Sequence, residues 1–376
     1  MLSKPKVLIL SDWFEPGYLA GGPIRSVSNL LALCKHEIDF SVFTSDRDFS
    51  SDTPYDGIEL DKWLDKDRYR IIYTSPQSRG SVLTDILEQE DFDRFYFNSF
   101  FSKDFTVKPL MVLRKARCLD RVVLAPRGML GEGALSLKST KKRLFIALFK
   151  LFRMDKRIVF HSTASSESDS IKGVFNGARI AEIGNVPQIP DRVIKTGDPI
   201  KRLFVFTSRI SPKKNLHFLL SSWNAINLTS ELKVFGTQED PMYLEQCREL
   251  AEGNASIQLN DAIPPNEIQS LLEEADFFVL PTLNENFGHS IIEALLKGCP
   301  VIISDQTPWN DLEEYGAGWV IQLDQFDQWR RVLVEASEMD KERYSEMSKR
   351  AQEYVRQKFD FDDLRRQYLK LFQTGN

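Results

Sequence analysis

Two glutamates stand eight residues apart in the phrase ENFGHSIIE, Glu285 and Glu293, with Phe287, Gly288, His289 and Ser290 between them. The apolar run Phe277–Leu280 ahead of them reads as a buried strand, and the pattern from Ser290 to Lys297 as a helix. A glycine at such a strand-to-helix turn lets a ligand come close to the backbone. Gly288, His289 and Ser290 would offer backbone N–H groups at the helix start. There the unpaired donors and the helix dipole favour an anion, above all a diphosphate. Glu293, further into the helix, is placed to accept bonds from ribose hydroxyls. Glu285, ahead of the helix, would face the group beyond the phosphates. Two glutamates at this spacing also occur in ordinary βα units with solvated acids.

A second constellation is TSRISPKKNL, residues 207 to 216, where Arg209 and Lys214 flank Pro212. Both could point at a diphosphate, the arginine as a fork and the lysine as a point charge. A solvated basic turn ahead of a helix has the same composition. A third is the pair Gly21-Gly22, after the first predicted strand and before a helix, with Arg25 a turn further on. It is not GxGxxG, which disfavours a dinucleotide cofactor. Arg127, in APRGMLGEGAL, follows the run Val122–Ala125 and could bind a hydroxyl, a phosphate or a carboxylate, or form a structural ion pair. His161 ends the next run and reads first as a satisfied core or loop histidine. Asp-x-Asp pairs occur at Asp46/Asp48, Asp91/Asp93 and Asp360/Asp362, none at a strand end in a donor-binding context. We read them as solvated acids and expect no metal.

These residues need elements to position them. Short apolar runs alternate with amphipathic stretches along the whole chain. Strands are predicted at Lys6–Leu10, Phe40–Thr44, Arg70–Tyr73, Arg94–Phe97, Val122–Ala125 and Ile158–His161. In the second half they are predicted at Leu203–Thr207, Leu232–Phe235, Ser256–Leu259, Phe277–Leu280, Val301–Ile303 and Trp319–Gln322. Helical patterns separate most of them, which indicates parallel sheets covered on both faces. The stretch Gly184–Pro199 is rich in proline, glycine and charge and reads as a linker. The expected organisation is a first α/β domain over 1–190, a second over 200–358, a cleft between them, and a last helix in 359–376 that packs somewhere, the first domain being one candidate.

Composition limits the function classes. The chain has 376 residues with 42% hydrophobic and 27% charged, as in soluble globular proteins. The net charge of −5 argues against a general nucleic-acid binder. Four scattered cysteines and four scattered histidines make a zinc site improbable and reduced thiols in a cytosol the default. No run of about 18 apolar residues is present to span a bilayer. One local exception is LKSTKKRLFIALFKLFRMDKR, residues 137–157, which carries eight basic residues and one acid. Its Leu144, Phe145, Leu148, Phe149, Leu151 and Phe152 recur at helical spacing. It reads either as a helix packed on the first domain or as a surface anchor for an anionic membrane.

The phrase holding Glu285, Phe287, Gly288, Glu293, Ala294, Gly298, Pro300, Val301 and Ile302 resembles the E-x7-E signature of retaining glycosyltransferases of family 4. Arg209 and Lys214 fall where that family's G-R-L-x-x-x-K-G phrase has its phosphate-binding pair, with Ser208 and Asn215 in place of its glycines. The resemblance implies the α/β GT-B architecture, two facing Rossmann-like parallel-sheet domains with an interdomain cleft. It implies transfer of a sugar, with retention, from a UDP- or GDP-sugar to a saccharide or lipid-linked saccharide, in cell-surface polysaccharide or glycolipid biosynthesis. No cofactor is implied. Glu285, Arg209 and Lys214 would be catalytic. Gly21, Gly22, Phe287, Gly288, His289, Ser290 and Glu293 would bind the donor, and Arg25, Arg127 and His161 would lie on the acceptor side. Many relatives carry a histidine near Arg127. A non-catalytic nucleotide-sugar-binding subunit and a GT-B epimerase are the alternatives. The expected location is cytoplasmic, at or near the inner face of the membrane.

Overall fold

The computed structural model describes residues 4–131, 133, 135, 139–188, 202–226 and 228–373. The chain divides into two compact units, one of Met1–Val186 with Phe361–Asn376 and one of Pro187–Asp360.

The first unit holds eight strands: β1 (Lys6–Leu10), β2 (Asp39–Ser45), β3 (Leu64–Asp65), β4 (Arg70–Thr74), β5 (Arg94–Phe97), β6 (Val122–Leu124), β7 (Val159–Ser162) and β8 (Arg179–Glu182). Their order is β3-β4-β2-β1-β5-β6-β7-β8. All neighbours are parallel except β3 and β4. The helices are α1 (Gly22–Cys34), α2 (Arg79–Gln89), α3 (Lys108–Lys115), α4 (Ser139–Leu151) and α5 (Ser165–Val174). Alternation along β1 explains the layering. Val7 and Ile9 enter one core with Val27, Leu30 and Leu31 of α1. Leu8 and Leu10 enter the opposite core with Leu83, Leu110, Phe149 and Ile171 from the other helices. A sheet buried on both faces has no polar side, which is why its central strands are continuous apolar runs.

The second unit holds β9 (Leu203–Thr207), β10 (Glu231–Phe235), β11 (Ile257–Asn260), β12 (Phe277–Leu280), β13 (Val301–Ser304) and β14 (Gly318–Ile321). The order is β11-β10-β9-β12-β13-β14, parallel throughout. Its helices are α6 (Leu216–Asn224), α7 (Pro241–Ala251), α8 (Pro265–Glu274), α9 (His289–Leu296), α10 (Phe326–Ser337) and α11 (Lys341–Lys358). The chain then ends in α12 (Phe361–Phe372), which belongs to the first unit. There Tyr368 and Phe372 are buried, and the Tyr368 hydroxyl donates to the Gly184 carbonyl at 3.0 Å.

In each unit the strand order reverses beside the first strand, between β1 and β5 and between β9 and β12. Such switch points leave a crevice at the carboxyl ends of the strands, the usual ligand position in open parallel sheets.

Three elements were not read from the sequence. Strands β3 and β8 are edge segments of two and four residues, without an apolar run. Helix α11 is strongly polar, and its buried face mixes Tyr344, Ser348, Ala351, Gln352, Tyr354 and Val355. Ahead of α3 the chain makes a π-helical turn at Lys103–Val107, where the Ser102 hydroxyl accepts from the Phe105 N–H at 3.1 Å. Of the predicted linker, residues 189–199 lie outside the described residues, as does Lys138 of the basic stretch.

The six apolar residues of that stretch do not share one face. Phe149 of α4 is buried, and Phe145 and, just past the helix, Phe152 are half-buried against the core, whereas Leu144, Leu148 and Leu151 are 62%, 41% and 72% exposed.

Candidate active site

The switch point of the second unit brings together Lys214, Glu285 and the turn at Gly288, three of the features that the sequence singled out. Strands β9 and β12 pair over only two positions, Phe204 with Phe277 and Val205 with Phe278. Past these the two chains are free to diverge, and their following loops carry the candidate groups.

After β9 the loop is stitched to the loop after β10. Ser208 N–H donates to Phe235 O at 3.1 Å and Ile210 N–H to Thr237 O at 2.9 Å. A Cβ on Gly236 would lie 1.9 Å from Ser208 O, so only glycine fits there. A 3₁₀ turn at Pro212–Lys214 then leads to Asn215 at φ +59°, the N-cap of α6. Asparagine is a residue that tolerates this left-handed conformation, which accounts for its standing where the resembling family has glycine.

That turn buries Lys214 and delivers its ammonium to the Glu285 carboxylate, with the side chains 9% and 16% exposed. The loop after β12 is held in place to receive it. The Lys213 carbonyl accepts from Leu283 N–H at 2.8 Å and from the Thr282 hydroxyl at 3.1 Å. Glu285 N–H donates to Gln306 O at 2.9 Å. Burial pushes the Lys213 amine below its ordinary range, with Glu285 opposing.

Gly288 is the N-cap of α9 at φ +75°. A side chain there would meet Ile291 Cδ1 at 2.8 Å and Glu285 Cγ at 3.1 Å, so both conformation and space demand glycine. The Gly288 carbonyl accepts from Ile291 and Ile292, and no side chain caps this terminus. His289 and Ser290 follow it, half-buried, and Glu293 is buried in the next turn. Phe287 turns inward. Its ring packs on His289, Trp309 and Phe359 at 4.6, 5.5 and 6.1 Å, and its carbonyl accepts from Trp309 Nε1 at 2.6 Å. Phe287 therefore anchors the turn that Gly288 makes.

Arg209 goes elsewhere. Its guanidinium pairs with Glu239 at 2.8 Å on the exposed rim, so the two cations read as one clamp hold separate acids here. Glu239 was missed by the sequence reading; its only signal is its place four residues past the end of β10.

The first-unit candidates form their own groups. Gly21 is the N-cap of α1 at φ +66° with open space around it, and Gly22 and the half-buried Arg25 follow. The Arg25 N–H donates to Gly21 O at 3.2 Å. Arg127 is committed to the interior: Nε to Asn98 Oδ1 and Nη1 to Asn185 Oδ1, each at 2.8 Å, and Nη2 to the Tyr96 hydroxyl at 2.9 Å. His161 is fully buried. Its Nε2 meets the Ile183 carbonyl at 3.0 Å, which only accepts, so the proton sits on Nε2 and Nδ1 accepts from Tyr96 at 2.8 Å. Burial, aided by the Arg127 charge, holds the imidazole down to about 3. As arranged, Arg127 and His161 join β5, β7 and the segment after β8.

The two sheets and their switch points define the GT-B fold, shared with many solved structures. One is the Anabaena protein HepE in complex with UDP and glucose (TM-score 0.69, 16% identity, 98% of this chain and 99% of that one). Another is WaaG, a glycosyltransferase involved in lipopolysaccharide biosynthesis (TM-score 0.66, 15% identity, 98% and 100%). In sequence, residues 191–355, which fall in the second unit, match the family model described as "Glycosyl transferases group 1". The chain also resembles the putative colanic acid biosynthesis glycosyltransferase WcaL of Salmonella typhimurium, at 24% identity over 188 residues. That match takes in 47% of this chain and 46% of WcaL, about half the length of each.

Proposed function

We propose that the protein is a retaining, family 4-type glycosyltransferase that moves a hexosyl group from a UDP- or GDP-sugar to a hydroxyl of a saccharide or lipid-linked saccharide. The observation that carries this reading is the buried Lys214–Glu285 pair beside the glycine-capped start of α9, inside the segment that matches the family model. In this reading the diphosphate takes the N–H groups at Gly288–Ser290, Glu293 takes the ribose hydroxyls, and Glu285 orients the sugar. The bond from the anomeric carbon to the diphosphate oxygen breaks, and the acceptor oxygen bonds on the same face. The acceptor's proton passes to the departing phosphate. Lys214 and the helix N–H groups stabilise the charge where it develops. Arg209 joins them by exchanging Glu239 for phosphate. Solved relatives with UDP and glucose support a uridine donor.

The test is a panel of UDP- and GDP-sugars, read by thermal stabilisation and by hydrolysis or transfer. One nucleotide sugar should raise the melting temperature, since binding to the folded form alone stabilises it. Binding without turnover would favour a non-catalytic subunit, and C-epimerised donor would favour an epimerase. Activity that survives EDTA supports a metal-independent transferase; a strict manganese or magnesium requirement overturns that part.

The same reading gives α4 an anionic cytoplasmic membrane as partner. Among the described residues no helix is long and apolar enough to cross a membrane. The support is the exposed stripe Leu144, Leu148 and Leu151, with Lys141 and Arg143 exposed on the same helix. Such a helix lies in the interface, with leucines inserted and basic groups near the headgroups. Lys141→Ser with Arg143→Ser should cost about 2 kcal/mol of affinity for anionic vesicles, roughly 30-fold, in co-sedimentation. Equal binding of neutral and anionic vesicles, or of neither, sinks it.

A further inference from the structure

Helix α8 carries an amide that the protein leaves without a partner. Both Nε2 and Oε1 of Gln269 are buried and make no hydrogen bond, and among the described residues no other carboxamide is left so. Buried polar groups are almost always bonded, so this exception asks for an explanation. The residue as a whole is only half-buried, so its exposure lies on its other atoms. A turn about its own side-chain bonds can bring the amide out with no movement of the backbone.

Where that amide lies follows from the sheet. Helix α8 joins β11 to β12 and α9 joins β12 to β13, both crossing in the same direction along the strand order. Right-handed crossovers put the two helices on one face of the sheet, running the same way. One ion pair sets their register: Glu273 of α8 meets the ammonium of Lys297, just past α9, at 2.6 Å. Gln269 stands four residues before Glu273, and Glu293 stands four residues before Lys297. Residues at that spacing share a helix flank. Gln269 and Glu293 are therefore the next facing pair, one turn nearer the helix starts and the turn at Gly288. One turn is about 5.4 Å, the scale of a pentose ring.

An acid and a neutral amide on facing flanks suit a pair of neighbouring hydroxyls. The carboxylate only accepts, so the hydroxyls donate to it. Each hydroxyl oxygen keeps lone pairs, and the amide N–H can donate to one of them. In a ribose the 3′-hydroxyl stands beside the carbon that bears the phosphate arm, and the 2′-hydroxyl one carbon further away. Glu293 shares its helix with the proposed diphosphate site, whereas Gln269 comes from the neighbouring helix, so the amide falls to the further hydroxyl.

We infer that Gln269 is a specificity-determining residue that donates to the ribose 2′-hydroxyl while Glu293 accepts from the diol. The site then selects ribonucleoside over 2′-deoxyribonucleoside diphosphates. The inference rests on the proposed donor site at α9.

The test uses the full chain and calorimetry with UDP, GDP and their 2′-deoxy forms. The wild type should bind one ribonucleoside diphosphate at least tenfold more tightly than its 2′-deoxy form, because the missing hydroxyl leaves its buried partners unpaired. Gln269→Met keeps the length of the side chain and removes the amide. It should weaken the ribonucleotide about fivefold and the 2′-deoxy form less than twofold. Gln269→Leu repeats the cycle if Gln269→Met does not fold. Equal losses for the two nucleotides, wild-type affinity in the folded variant, or a wild type that does not distinguish the two sugars overturns the inference and leaves the donor site standing. If neither UDP nor GDP binds the wild type, the donor site falls and the inference with it.

Discussion

The two units run their strands in the same order around a first strand, β4-β2-β1-β5-β6-β7 in one and β11-β10-β9-β12-β13-β14 in the other. At the matching position, where the order reverses, they carry different chemistry. The second unit places a buried ammonium, a carboxylate and a glycine-capped helix start beside one another. The first places Asp12, already satisfied by the hydroxyls of Ser99 and Ser102, in a cavity where Arg47, Arg79 and Lys103 stand beside Asp48 and Asp104. A crevice is dictated by topology, but its ligand is dictated by which polar groups the loops bring and how far those groups are already paired. The buried titratable groups differ in the same way. Lys214 is kept beside an acid, and His161 is kept neutral by burial, aided by the Arg127 charge.

The largest expected effect comes from removing the ammonium. Lys214→Ala should raise the barrier by about 2.7–4 kcal/mol, a loss of roughly 100- to 1,000-fold in turnover. It should weaken nucleoside diphosphate binding by less. Single-turnover kinetics with the donor found in the panel would measure it, and a loss under tenfold would show that Lys214 only holds the loop.

His161 sharpens the other side of the comparison through pH. Its pKa is about 3 in the fold against 6.5 for a free imidazole. Above 6.5 both states are neutral and the group adds no slope. As pH falls from 6.5 towards 3, the unfolded chain takes up a proton that the native state refuses. Stability is therefore lost at up to about 1.4 kcal/mol per pH unit. His161→Gln should be less stable at neutral pH yet lose less on acidification. Urea midpoints across this window test it; parallel curves for the two proteins would contradict the neutral buried imidazole.

Gly288→Ala ranks next. The left-handed conformation costs a side chain about 1–2 kcal/mol, and the added Cβ presses on Ile291 and Glu285. Gly21→Ala has the φ penalty without the contacts, so it should cost less. Thermal melts of both variants measure the difference, and equal losses would mean that the crowding at Gly288 relaxes freely.

How much of this was legible follows from what each residue's role depends on. The apolar runs of β1, β9 and β12 are visible because strands buried on both faces carry no polar positions. Gly288 and Lys214 are visible as local types at local spacing. The Arg209–Glu239 pair is not, because it depends on how the loops after β9 and β10 are sewn together. Asp12 is hidden for the same reason: its partners Ser99 and Ser102 come from another loop. The inward phenylalanines and outward leucines of α4 share one apolar pattern, and only packing separates them.

The smallest effect concerns the exposed pair. Arg209 and Glu239 are 44% and 27% exposed, so the pair adds only about 0.2–1 kcal/mol to stability and less in high salt. Its interest is competition. A guanidinium that must reach a diphosphate has first to leave Glu239, and the free energy of that pair is subtracted from the affinity. Glu239→Gln removes the competing charge while keeping the side chain's size. It should therefore tighten binding of the nucleoside diphosphate by up to about fivefold. Arg209→Ala should abolish that gain, because the two residues act through one contact and their effects cannot add. Calorimetry on the single and double variants closes the cycle. Additive effects, or no tightening by Glu239→Gln, would leave Lys214 and the start of α9 as the only groups on the phosphates.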